Sequence, residues 1–140
     1  MKPEKAIEML RIVAEDLVPV SNARLSAAIF YRGKLVAIGF NQFKSHPFAA
    51  KYSRHPEAIY LHAETDAIYK ASKQLTRLEM KDSTLVICRV KQCNKKKPMY
   101  GLAKPCFGCQ DCIDEYRLST VIYTTDSVNM EYITSLRKEF

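Results

Sequence analysis

The stretch LAKPCFGCQDC, residues 102–112, constrains this chain more than any other, because it holds three of the five cysteines, each three residues from the next. Two thiolates at that spacing can chelate one zinc ion from the first turn of a helix, where the helix dipole and free N–H groups stabilise negative sulfur. Cys106–Cys109 and Cys109–Cys112 both have it. Pro105 favours the first pair, since proline disfavours continuing a helix backward through its own position and so places Cys106 at the helix start. Cys112 then lies one turn deeper, where a small apolar core residue is the usual occupant.

Two thiolates leave a tetrahedral zinc two ligands short. Cys88 and Cys93 are separated by four residues and do not form a second CxxC, so the remaining nitrogen donors are His46, His55 and His62. Among these, only His62 is followed two residues later by a carboxylate, Glu64, and opens a helical pattern. The trio His62, Cys106 and Cys109 leaves the fourth position to water, with Glu64 beside it as a proton carrier. A non-catalytic, zinc-stabilised binding module is the alternative, and Glu64 discriminates, because a structural site has no use for a carboxylate beside an open position.

The rest of the chain supplies a scaffold. Ile7, Leu10, Val13, Ala14 and Leu17 recur at three- and four-residue steps, which predicts a helix over 3–17. RLSAAIFYRGKLVAIGF gives two apolar runs around Arg32-Gly33, a β-hairpin signal. A polar loop is expected over about residues 41–58, then a helix over HAETDAIYKASKQL, residues 62–75, where Ala63, Ala67, Ala71 and Leu75 recur at four-residue intervals as a small-residue face suited to packing closely on a sheet. TLVICRV, nearly continuous in apolar residues, reads as a strand covered on both faces. Residues 91–104 read as a loop, CFGCQDCIDEYRL as a third helix, STVIYTT as a strand, and Asn129 to Phe140 as a last short helix. This order predicts one α/β domain over 1–140.

At this point the chain resembles the zinc-dependent cytidine and deoxycytidylate deaminases. HAE (His62 to Glu64) and PCFGC (Pro105 to Cys109) match that family's H-x-E and P-C-x-x-C, and SNARLSAAIFYRGKLVAIGFN is similar to its first hairpin, ending in a G-x-N. The resemblance runs from about Ser21 to Thr125. It implies a three-layer sandwich with a central mixed β-sheet and helices on both faces, and Zn²⁺ held by His62, Cys106 and Cys109. It also implies that Glu64 shuttles protons while the Ala63 N–H and the Lys104 carbonyl flank the base and the Asn41 side chain holds the sugar. Asn41 read by itself could as well end a strand in a turn.

Charge bears on the substrate. The net charge is +7, with 22 Lys and Arg against 15 Asp and Glu, which favours anionic partners or serves as solubilising surface charge. Lys44, Lys51 and Arg54 lie between Asn41 and His62 and are candidate phosphate contacts, whereas Lys95, Lys96 and Lys97 read as a solvated loop tip. The expected substrate is a cytosine nucleotide, deoxycytidine monophosphate first. The alternative is a base in a nucleic acid, tRNA adenosine or single-stranded DNA cytosine, which the positive charge would also suit. The odd cysteine count, an N-terminus that alternates charged and apolar residues, and the lack of any run near the roughly 18 apolar residues of a membrane span predict a cytoplasmic protein without a membrane partner. With little chain after Thr125, a final strand is expected to be missing or supplied by packing in a homo-oligomer.

Overall fold

The structure is a computed structural model that describes residues 1–17, 24–42, 46–52, 62–92 and 99–137. Helix α1 (Pro3–Glu15) opens with proline in its first turn and buries Ala6, Ile7, Leu10 and Ala14 along one stripe. Full burial of Ile7 and Leu10 contributes about 1.5–3 kcal/mol each. Strands β1 (Arg24–Tyr31) and β2 (Lys34–Phe40) form the expected hairpin. Arg32 and Gly33 both have positive φ, the backbone that lets a two-residue turn follow the twist of its strands.

After the hairpin come α2 (Pro47–Lys51), α3 (Ala63–Ser72), α4 (Arg77–Lys81) and β3 (Ser83–Gln92). They are followed by β4 (Met99–Gly101), α5 (Phe107–Tyr116), β5 (Thr120–Thr124) and β6 (Tyr132–Leu136). The sheet order is β2-β1-β3-β5-β6, with β4 also paired to β3. All pairings are antiparallel except β3 with β5, so the sheet is mixed.

Side-chain alternation divides the core into two layers. Ala27, Ile29, Leu85, Ile87 and Val121 face α3 and α5, joined by Ile68, Ala71, Cys112 and Ile113. Ala28, Phe30, Val86, Cys88, Val90 and Ile122 face α1. Helices therefore cover both faces, the three-layer sandwich that the resemblance implies.

Four expectations need correction. The tail is not a helix: Tyr132–Leu136 pairs antiparallel with β5 from Thr124↔Tyr132 to Thr120↔Leu136, so the final strand is present in the chain itself. Its YITSL holds residues of high β-propensity in Tyr132, Ile133 and Thr134, and β5 gives it a partner. The 91–104 segment, read as a loop, contains β4, whose Tyr100 pairs with Val90. The 41–58 segment contains the short helix α2, started by Pro47 and capped by the His46 imidazole, which accepts from Phe48 N at 3.1 Å. The second helix stops at Ser72, and a capping box formed by Thr76 and Glu79 starts α4.

Candidate active site

The site lies where the N-termini of α3 and α5 meet at the C-terminal ends of β3 and β5, the usual place for a site in such sheets. Two close approaches set its geometry. A Cβ on Gly39 of β2 would fall 2.5 Å from the Ala63 carbonyl oxygen and also against Ala67 N, so only glycine lets the first turn of α3 rest directly on the strand. On the other side, a Cβ on Gly108 would collide with the Tyr52 carbonyl oxygen, so the glycine of PCFGC seats α5 on the residue that ends α2.

His62 is the N-cap of α3; its carbonyl accepts from Asp66 N at 2.9 Å and Thr65 Oγ1 at 3.1 Å, and its ring projects ahead of the helix. Cys106 is the N-cap of α5, with its carbonyl accepting from Gln110 N at 2.8 Å. One turn in, Cys109 is buried. The segment leading into Cys106 is fixed by Thr124, whose buried hydroxyl donates to Gly101 O at 2.8 Å and accepts from Arg89 N at 3.1 Å. Its carbonyl accepts from Ala103 N at 2.9 Å.

His62, Cys106 and Cys109 bring one donor atom each to within 4.8 Å of one another. His62 Nδ1 stands 3.8 Å from Cys106 Sγ and 3.3 Å from Cys109 Sγ. A nitrogen and a sulfur sharing a tetrahedral zinc lie about 3.6 Å apart, so the donor set suits Zn²⁺ in both chemistry and spacing. Hydrogen bonds from Cys109 and His62 push the Cys106 thiol down to about 4. The more enclosed Cys109 is raised by its bond to Cys106 and by burial. His62 is raised chiefly by its bond to Cys106.

Glu64 is 5% exposed, and burial raises its carboxyl above the ordinary value while the His62 charge acts in the opposite sense. Ala63 is buried beside it. Asn41 Oδ1 accepts from Leu25 N at 3.0 Å and its own N–H donates to Leu25 O at 3.2 Å, which fixes the side chain at the end of β2. Lys104 is exposed, two residues before Cys106. Lys51 ion-pairs with Glu115 at 3.0 Å on the outer side of α5. Lys44, Arg54, His55, Cys93 and Lys95 to Lys97 lie outside the described residues. Cys112 is fully buried in the core, where burial pushes its thiol up to about 12.

Sequence reasoning missed three supports. Gly39 had a visible signal, an isolated glycine inside a strand pattern. Asp66 had a weaker one, its four-residue spacing from Lys70: its Oδ2 accepts from Lys70 Nζ at 3.0 Å, Phe40 N at 3.2 Å and Gln42 Nε2 at 3.2 Å, tying the β2 end to α3. Thr124 had no signal.

The family model for the "Cytidine and deoxycytidylate deaminase zinc-binding region" matches residues 1–125. The chain belongs to this deaminase family. Its chemistry is hydrolytic deamination and its metal is zinc, in agreement with the donor set. Nothing among curated protein sequences is significantly similar to the chain. Among solved structures, it is similar to the cytidine deaminase of Burkholderia pseudomallei, with a TM-score of 0.65, 17% identity, and 97% of this chain and 93% of that one covered. It is also similar to the dCMP deaminase of cyanophage S-TIM5 in apo form, with a TM-score of 0.58, 20% identity, and coverage of 91% and 87%. The same cyanophage enzyme in complex with dCMP and dUMP gives 0.54, 22%, and coverage of 91% and 85%. These likenesses establish the fold. No helix among the described residues is long and apolar enough to cross a membrane.

Proposed function

We propose that the protein hydrolyses the exocyclic amine of a free cytosine nucleotide, converting deoxycytidine monophosphate and water to deoxyuridine monophosphate and ammonia. The observation that carries this reading is the buried Glu64 carboxyl beside the His62, Cys106 and Cys109 donors: burial raises its proton affinity, as a group that both accepts and returns a proton requires. Zinc held by the three donors would lower the pKa of water and supply the nucleophile at neutral pH.

Glu64 takes a proton from the attacking water as its oxygen adds to the ring carbon bearing the amine. It gives that proton to the adjacent ring nitrogen. The second proton from the water reaches the leaving nitrogen through the same carboxyl, the carbon–nitrogen bond breaks and ammonia departs. The Ala63 N–H and the Lys104 carbonyl flank the base, and Asn41, clamped to Leu25, holds the sugar. The fold shared with a cyanophage enzyme whose structure contains dCMP and dUMP supports the choice of nucleotide.

Glu64→Gln should keep the fold and one zinc per chain yet lose turnover by at least the roughly 10²–10⁴-fold expected of a general acid–base group. Near-normal deamination by that variant would overturn the mechanism. Deamination of single-stranded DNA or tRNA in preference to the mononucleotide would replace the substrate.

A further inference from the structure

The sheet ends in two edge strands, and the chain treats them differently. β2 is sealed by α3: Val36 O accepts from Gln74 Nε2 at 3.2 Å, Ile38 O accepts from Lys70 Nζ at 3.2 Å, and Phe40 N donates to Asp66 Oδ2 at 3.2 Å. Helix side chains thus occupy backbone groups to which another strand could bond. β6, at the opposite edge, has no such cover among the described residues.

The ladder with β5 tells which groups of β6 are open. Thr125 N donates to Glu131 O at 3.1 Å and Arg137 N to Ser119 O at 2.9 Å, in one continuous register, so the odd-numbered residues from 131 to 137 turn their N–H and C=O groups toward β5. Those of Tyr132, Thr134 and Leu136 therefore point outward, and among the described residues they meet no hydrogen-bond partner. YITSL holds no proline and no charge to discourage pairing, and Ile133 and Leu136 are 44% and 69% exposed.

We propose that β6 is an interaction surface for a second copy of this chain, pairing antiparallel with its own equivalent about a twofold axis at Thr134. This register uses every outward group of the strand: Thr134 exchanges both bonds with its counterpart, and Tyr132 does so with Leu136 of the second copy. Moving the axis to Ile133 or Ser135 would leave Leu136 or Tyr132 facing residues outside the strand. Side chains and charges agree with it. Tyr132, whose hydroxyl donates to Glu4 at 2.6 Å, packs on the α1 layer, and it comes beside the exposed Leu136 of the second copy. Just past the strand, Glu131 is exposed and in no ion pair among the described residues, and it comes opposite Arg137. Arg137 holds Leu118 O, Ile113 O and Asp114 through Nε and Nη2, which leaves Nη1 for the opposing carboxylate. Parallel pairing would instead set Glu131 beside Glu131 and Arg137 beside Arg137, which is unfavourable. The surface is self-complementary, as a twofold interface requires, and joins both copies in one continuous sheet. It does not depend on the deaminase reading.

The test is sedimentation equilibrium of the full zinc-loaded chain over roughly 5–500 µM, because an interface centred on one short strand is small and its dimer weak. Wild type should pass from the mass of one chain to that of two. Thr134→Pro removes an outward N–H and no bond to β5, and proline is accepted on an edge strand whose N–H faces solvent. This variant should keep the wild-type melt at low concentration and the mass of one chain throughout. One-chain mass in wild type across the range, or an assembly of two or more chains that Thr134→Pro leaves unchanged, overturns the proposal. Should Thr134→Pro fail to fold, as judged by its melt, Thr134→Lys decides. It sets like charges opposite each other at the axis and should weaken the dimer at least about tenfold, with part of the loss regained at high salt; an unchanged association constant overturns the proposal. Register is read by oxidation. Thr134→Cys should cross-link to its counterpart above the wild-type background, the two Cα atoms being about 5.5 Å apart in a hydrogen-bonded pair, whereas Ile133→Cys, out of register with its own equivalent, should not. Cross-linking at Ile133→Cys instead overturns the axis at Thr134.

Discussion

Gly39→Ala isolates the contact on which the site is built. Replacing glycine by alanine inside a strand ordinarily stabilises by about 0.5–1 kcal/mol, because glycine loses more backbone freedom on folding. Here the new methyl would stand 2.5 Å from Ala63 O and 3.0 Å from Ala67 Cα, against an ordinary contact of 3.4–4 Å. The neighbours are helix backbone, so α3 as a whole has to retreat by roughly 1 Å or the strand has to bend. Overpacking of this kind costs about 1–3 kcal/mol and outweighs the propensity gain. The melting temperature should drop by about 3–8 °C for a chain of this length. Because α3 carries Glu64 in its first turn and His62 at its cap, a 1 Å displacement should also lower kcat on deoxycytidine monophosphate by about 100-fold. Calorimetric melts and steady-state turnover, with zinc measured on the same samples, give both readings. A melt unchanged or raised, together with wild-type turnover, would refute the claim that glycine sets the spacing between helix and strand.

Two further outcomes follow from the same geometry. Cys106→Ser should lose zinc, whereas Cys112→Ser, altering a core thiol behind the site, should keep one zinc per chain by elemental analysis and lose about 1–2 kcal/mol of stability from a buried, poorly paired hydroxyl; the opposite pattern would move the site to Cys109 and Cys112. The hydrogen bond from Tyr52, then Lys51, holds Glu115 below its ordinary value of 4.5, so this anchor between α2 and α5 stabilises the fold above about pH 4.5 and is lost as pH falls through the lower folded value. Urea titrations of wild type and Glu115→Gln should therefore differ at pH 6 and converge as pH falls through the lowered folded value, and a difference constant across that range would show that the carboxylate charge plays no part.

The grouping of His62, Cys106 and Cys109 was legible because its signals are local. The CxxC after proline, and a histidine two residues before a glutamate at a helix start, each sit within one turn of chain, and both helices form where their caps predict. The hairpin was legible for the same reason. What escaped depends on partners distant in sequence. Residues 132–136 are a strand only because β5 offers an open edge, and without that edge the charged residues around them suit a surface helix equally well. Thr124 is unremarkable in sequence, and its hydroxyl matters because β3, β4 and β5 converge on it. Arg89 shows where local rules fail with a consequence. TLVICRV reads as a strand covered on both faces, yet its arginine occupies a position such a strand would give to an apolar residue. Natural sequences break their own patterning chiefly at functional sites. Arg89 is half-buried with its Nε buried and without a hydrogen-bond partner, a departure that the packing around it does not explain.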